Sequence, residues 1–143
     1  MKIQELLVEI EKDSIVDNHQ LGQESTRIPA LHSKYLTLRA NEKLLLKQLN
    51  MQYAILHKER WTFYSGKSSP QAYKDENFDL KVLRGDIDIY IDSDVKLQEL
   101  KSKISVQETK VETIDDFLKA LIQRHWMISN SIKWSQMLNG GIQ

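Results

Sequence analysis

The sequence predicts an all-α protein. Two long stretches space their apolar residues at alternating steps of three and four, the signature of a helix with one buried stripe. A third observation removes the alternative: only "GDIDIYID" alternates in the manner of a strand, and a single strand has no partner to pair with. Two long helices, a short accessory helix and a loop account for the 143 residues. A chain of this length suits one domain.

The first element is short. Ile3, Leu6, Leu7 and Ile10 make one apolar stripe, which breaks in "KDSIVDNHQLGQ" at the turn formers Asp13, Asn18 and Gly22. The second helix is expected to begin between Glu24 and Pro29, because proline is tolerated in a first turn. It runs to about Tyr64, with Leu31, Tyr35, Leu38, Leu45, Leu49 and Leu56 as its stripe and Glu42 and Gln52 filling gaps in it. Gly66, Ser68, Ser69 and Pro70 end it. Residues 65–91 are expected to form a loop, with "GDIDIYID" as an extended lead-in. From residue 92 to 138 a second long helix carries Leu97, Leu100, Ile104, Gln107, Val111, Ile114, Leu118, Leu121, His125, Ile128 and Ile132, a five-heptad seam. "LNGG" stops it. A strict 3.5-residue period asks for a partner helix. The apolar members, Leu97, Leu100, Ile104, Val111, Ile114, Leu118, Leu121, Ile128 and Ile132, are therefore expected to mediate homo-oligomerisation. The organisation reads as one domain over 1–143, divided into N-terminal helices (1–64), a loop (65–91) and an oligomerisation helix (92–138).

Composition excludes more than it selects. No run approaches the length of a membrane span, and the acidic, amphipathic start is not a signal peptide. Cysteine is absent, which removes disulfides and thiolate chemistry and fits a reducing cytoplasm. No glycine-rich phosphate loop, His-Glu-x-x-His or Glu-x-x-His occurs. Asp115 and Asp116 are adjacent and diverge on a helix, so they cannot share a proton. The run Asp86, Asp88, Asp92, Asp94 lacks the glycine and closing glutamate of a calcium loop and reads as a solvated acidic loop, with a basic protein partner as the second choice. His125 on the seam reads as a polar register-setter. No catalytic residue, cofactor or metal is expected.

Charge points elsewhere. Lysine and arginine balance aspartate and glutamate at 20 each, yet residues 31–67 hold seven cations against two anions. Local fields, not the net charge, decide where an anion docks. At 100° per residue, Arg39, Lys43, Lys47, His57, Lys58 and Trp61 fall within roughly 100° of one another, away from the apolar stripe. A row of cations releases counterions when it meets phosphates, and an indole beside it offers a base a stacking surface. The opposing interpretation is a solvated helix face with Trp61 anchored in the core.

The stretches "SKYLTLRANEKLLLKQLN", "LHKERWTFYSGK", "DLKVLRGDIDIYIDSDVKL" and "WMISNSIKWSQMLNGG" together resemble the UvsY family of T-even-like phages over nearly the full length. None is a catalytic signature; the order and spacing carry the likeness. The resemblance implies a non-enzymatic recombination and repair mediator. Such proteins bind single-stranded DNA coated by single-strand-binding protein and help a RecA-like recombinase nucleate on it. It also implies a homo-oligomeric ring assembled through the C-terminal helix, working in the host cytoplasm with no membrane. The family's DNA-binding motif places a lysine and an arginine two residues apart before an aromatic pair, here Lys58 and Arg60. Trp61 stands where an aliphatic residue is usual, and Thr62 where an acidic one is. The expected DNA-contacting set is Lys58, Arg60, Trp61, Tyr64, Lys67, His57, Arg39, Lys43 and Lys47. Arg60, at roughly 300° on the same wheel, lies at the margin of the apolar stripe, so it either snorkels to a phosphate or braces a subunit contact. The alternative function is a structural coiled-coil oligomer, such as a phage assembly or scaffold protein.

Overall fold

The computed structural model describes residues 1–140. Helices α1 (Ile3–Ser14), α2 (Leu21–Tyr64), α3 (Pro70–Asp75), α4 (Ile87–Asp92) and α5 (Val95–Leu138) follow in order, with a 3₁₀ turn at Arg84–Asp86 before α4. No strand occurs among the described residues. The all-α expectation is met, with both long helices present.

The boundaries differ where local signals competed. α2 starts at Leu21, so Gly22 lies inside it and Pro29 sits two turns in, not in the first turn. The loop expected over 65–91 contains two short helices. "GDIDIYID" is not extended: it forms the 3₁₀ turn and α4. Its isoleucines satisfy both periods, since Ile87 and Ile91 are two apart from Ile89 and four apart from each other. Packing decides. Ile87 and Ile91 are buried against Leu97, while Ile89 is 66% exposed, which a helix permits and a common strand face does not. α5 begins at Val95 rather than 92 because Asp94 caps it, accepting a hydrogen bond from the Leu97 N–H at 2.9 Å.

The chain divides into two compact units. The first comprises Met1–Lys43 and Glu108–Gln143. Here α1, the first half of α2 and the second half of α5 enclose Leu6, Leu31, Tyr35, Ile114, Phe117, Leu118 and Leu121. The Tyr35 ring lies 4.6 Å from Phe117, and its hydroxyl donates to Asp13 at 2.8 Å. Asp13 also receives Lys34 at 2.7 Å. Its backbone carbonyl, at the end of α1, accepts from Arg124 at 3.0 Å and Arg27 at 3.3 Å, cations suited to a helix C-terminus. Glu42, a gap in the α2 stripe, is buried and paired with buried Lys110 at 2.8 Å.

The second unit is Leu44–Gln107. Tyr53, Leu56, Tyr64 and Val82 pack around Ile87, Ile91 and Leu97. The turn after α2 is a Schellman motif: the Lys67 N–H reaches the Thr62 carbonyl at 3.1 Å and the Gly66 N–H reaches Phe63 at 3.2 Å. Gly66 takes φ +81°, the left-handed conformation that motif requires.

The α5 seam meets a different fate from the one its period suggests. Ile114 and Leu121 are fully buried, Leu97, Leu118 and Ile128 nearly so, and Val111 is buried as well. In each unit they are covered by the same chain. Leu100, Ile104 and Ile132 are half-buried and His125 is exposed. The reason is economy: the stripes of α1 and α2 need apolar cover too, and covering them with α5 satisfies all three. Of the residues expected to mediate homo-oligomerisation, Leu97, Val111, Ile114, Leu118, Leu121 and Ile128 are thus buried within their own chain, and Leu100, Ile104 and Ile132 are partly so.

Candidate nucleic-acid interface

The stretch "LHKERWTFYSGK" closes α2, and the second unit sorts its side chains into two populations. One faces inward. Arg60 is 6% exposed, and its Nε donates to Asp94 at 2.7 Å while its terminal nitrogens donate to Glu76 at 2.8 and 3.1 Å. Its guanidinium carbon lies 4.3 Å from the Phe63 ring centre and 5.1 Å from that of Tyr64. The Tyr64 hydroxyl accepts from Arg60 at 3.3 Å and donates to Asp94 at 2.6 Å. Phe63 stacks on Tyr73 at 4.6 Å, and Phe78 and Tyr90 complete the aromatic set.

The electrostatics follow from that enclosure. Burial alone would lower the Arg60 guanidinium, but its hydrogen bonds to Glu76, Tyr64 and Asp94 outweigh this and hold it above its ordinary value. Burial pushes the Asp94 carboxyl up. The Tyr64 hydroxyl, the Leu97 N–H and Arg60 together outweigh burial and hold it below the usual carboxylate range. Arg60 is thus a fixed cation with both carboxylate partners already in place. In this position Arg60 braces its own unit, held between Asp94 and Glu76.

The other population faces solvent. Lys47, Lys58 and Lys67 are exposed, and Trp61 is 39% exposed. His57 is half-buried, its ring 6.0 Å from that of Tyr53. Lys47 and Lys58 are eleven residues, three helical turns, apart and so share a face of α2. The cap at Gly66 then turns the chain and sets Lys67 beyond the helix end. Arg39 and Lys43 lie in the first unit, where Arg39 is half-exposed and pairs with Asp115 and Lys43 is half-buried.

Two residues escaped the sequence reading. Asp94 was placed in a solvated acidic loop, yet it is the buried hub of the Arg60 network; its signal was an aspartate directly preceding a periodic helix. Arg84 lies outside the basic stretch that the sequence singles out. It is exposed and lines a cleft of about 370 Å³ with Trp61, Ser65, Lys67, Val82 and Ile87. Among the described residues no cluster of His, Asp and Glu is placed to hold a metal ion, and no helix is long and apolar enough to cross a membrane.

Residues 9–141 match the family described as recombination, repair and ssDNA binding protein UvsY. The chain belongs to the UvsY family. The fold agrees. Crystal structures of the bacteriophage T4 recombination mediator protein UvsY superpose with a TM-score of 0.85 in one lattice, at 18% identity over 98% of this chain and 99% of that one. A second lattice gives 0.80 over 98% and 100%, and a third 0.81 over 95% and 99%, both again at 18% identity. At that identity the likeness is one of fold. No curated protein matches the chain.

Proposed function

We propose that this UvsY-family protein is a recombination mediator that binds single-stranded DNA and helps a RecA-like recombinase load onto strands coated by single-strand-binding protein. Family membership over residues 9–141 carries the reading. The cationic, indole-bearing end of α2 supports it, because Lys47, Lys58, Lys67 and Trp61 are exposed together in one unit. In this reading Lys47, Lys58 and Lys67 contact phosphates, Trp61 stacks on a base, and His57 lies at the margin. Arg60 and Tyr64 act indirectly, by holding the end of α2 in shape. Arg39 and Lys43 contribute at most to the surrounding field.

The assembly is a homo-oligomeric ring, which converts a modest cationic face into a firm grip by repeating it. A strand that touches several subunits is drawn away from the path its coat protein prefers, and the recombinase meets it partly freed. No catalytic step enters. The contact between copies is assigned to the exposed apolar side of α5 near its C-terminal end, not to the seam. Ile122, Trp126, Met127, Trp134, Met137 and Leu138 are all exposed there and fall within roughly 160° of one another on the helix. Contiguous exposed apolar surface of this kind marks an interaction site.

Retention of fluorescent oligo-dT, followed across a salt series, tests the function. Binding should weaken steeply with salt, and the double change Lys47→Ala, Lys58→Ala should reduce the slope of log affinity against log salt by about 1 to 2. A structural scaffold protein would retain no oligo-dT, and that result would end the proposal.

A further inference from the structure

The cleft at the end of α2 has features that a row of phosphate contacts does not require. Its lining is mixed: the indole of Trp61, the aliphatic side chains of Val82 and Ile87, the hydroxyl residue Ser65, and the cations Lys67 and Arg84. Its volume of about 370 Å³ lies at the small end of the range for ligand sites. Its parts are held in place. Ile87 is 4% exposed, within the core of the second unit. Lys67 follows the hydrogen-bonded turn at Gly66, and Arg84 opens the 3₁₀ turn that leads into α4. Neither cation is held in an ion pair among the described residues, in contrast to Arg60.

An indole and an apolar floor beside two unpaired cations suit a ligand that is flat and π-rich on one side and anionic on the other. A nucleotide has that character. We propose that the cleft takes one unstacked nucleotide of a single strand, with the base on Trp61 over Val82 and Ile87 and its phosphate held by Lys67 and Arg84. The assignment rests on the single-strand reading above and deepens it. It adds Arg84, which lies outside the basic stretch, and it divides the work between two sets of residues. Lys58 meets phosphates, which single and double strands both present. The cleft needs a free base. A base paired inside a duplex must be unpaired and unstacked before it can enter, at a cost of a few kcal/mol. The cleft is therefore the element that makes the protein prefer single strands to duplexes.

The experiment measures binding of the full-length chain to a fluorescein-labelled dT oligonucleotide and to a duplex of equal length at one fixed salt concentration. Trp61→Ala and Arg84→Ala are each expected to weaken single-strand binding by about tenfold, the scale of one lost base stack or charge contact. Duplex binding should be nearly unchanged for Trp61→Ala, so the preference for single strands collapses. Trp61→Phe, which keeps a stacking surface, should restore most of that preference. Lys58→Ala should weaken both substrates in the same proportion. Helicity by circular dichroism confirms that each variant is folded. The cleft assignment is overturned if folded Trp61→Ala and Arg84→Ala bind the dT oligonucleotide as tightly as wild type. A loss that falls equally on single strand and duplex overturns it too. A wild-type protein that retains neither substrate overturns the broader single-strand reading instead, so the two failures are distinguishable.

Discussion

Arg60 and Trp61 are neighbours in sequence with opposite assignments. On a helix, adjacent residues diverge by 100°, so one can belong to the core and the next to the surface. Arg60 turns toward Asp94 and Glu76 and is sealed under Phe63 and Tyr64. Removing one partner of a buried ion pair leaves the other buried and uncompensated, which commonly costs 3–5 kcal/mol. Arg60→Ala should therefore lower the melting temperature by roughly 10 °C. Arg60→Lys should recover little, because a single ammonium cannot bridge two carboxylates as the planar fork does. A thermal melt followed by circular dichroism checks both. If Arg60→Ala melted like wild type and still lost DNA binding, the arginine would have to be touching the strand directly.

At the scale of elements, the Arg60 network fastens three pieces of the second unit. It joins the last turn of α2, the C-terminal end of α3 at Glu76, and the first turn of α5, which Asp94 caps. Acid should release them. Asp94 titrates lower in the folded protein than in the unfolded chain, whose aspartates titrate near 3.9 by the usual reference. Its stabilising contribution is complete above that value and is lost as pH falls toward the folded-state one. Asp13, which burial raises but Lys34 and Tyr35 hold below its ordinary value, behaves the same way in the first unit. Urea midpoints measured from pH 7 down to pH 3 should fall with acidity, and Asp94→Asn should start lower and fall less. An unchanged pH dependence in Asp94→Asn would remove the network from that role. The elements also show where sequence patterning reached its limit. Both long helices were legible because their stripes run for many turns. α4 was not, because six residues of alternating isoleucine and aspartate fit either period, and only the core beneath Ile87 and Ile91 chooses between them.

For the whole molecule, burial of the α5 seam inside the chain ties its residues to folding. Ile114 is fully buried among α1 and α2 side chains, so a charge there should unfold the first unit rather than merely split an oligomer. The exposed apolar side of α5 should behave in the opposite way. Trp126→Glu with Trp134→Glu is expected to reduce the mass of the native particle while leaving helicity intact, as sedimentation and circular dichroism would show. An unchanged particle mass would place the contact between copies elsewhere. If the chain assembles into the proposed ring, loss of assembly should also weaken DNA binding more than any one lysine does, because a repeated face would act by raising effective concentration.

The sequence by itself determined that the chain is helical, where its two long helices run, that its cations crowd the end of α2, and which family it resembles. Each of these depends on spacing or order along the chain, which local backbone geometry translates directly into position on a helix. Tertiary structure alone decided which surface covers the α5 seam, which of Lys58, Arg60 and Trp61 face outward, and that Asp94 is a buried partner rather than a solvated charge. The physical reason is that apolar burial is non-directional: a stripe demands cover without specifying its source. An arginine at the edge of such a stripe goes wherever carboxylates and rings can enclose it, and those arrive from segments 16 and 34 residues away.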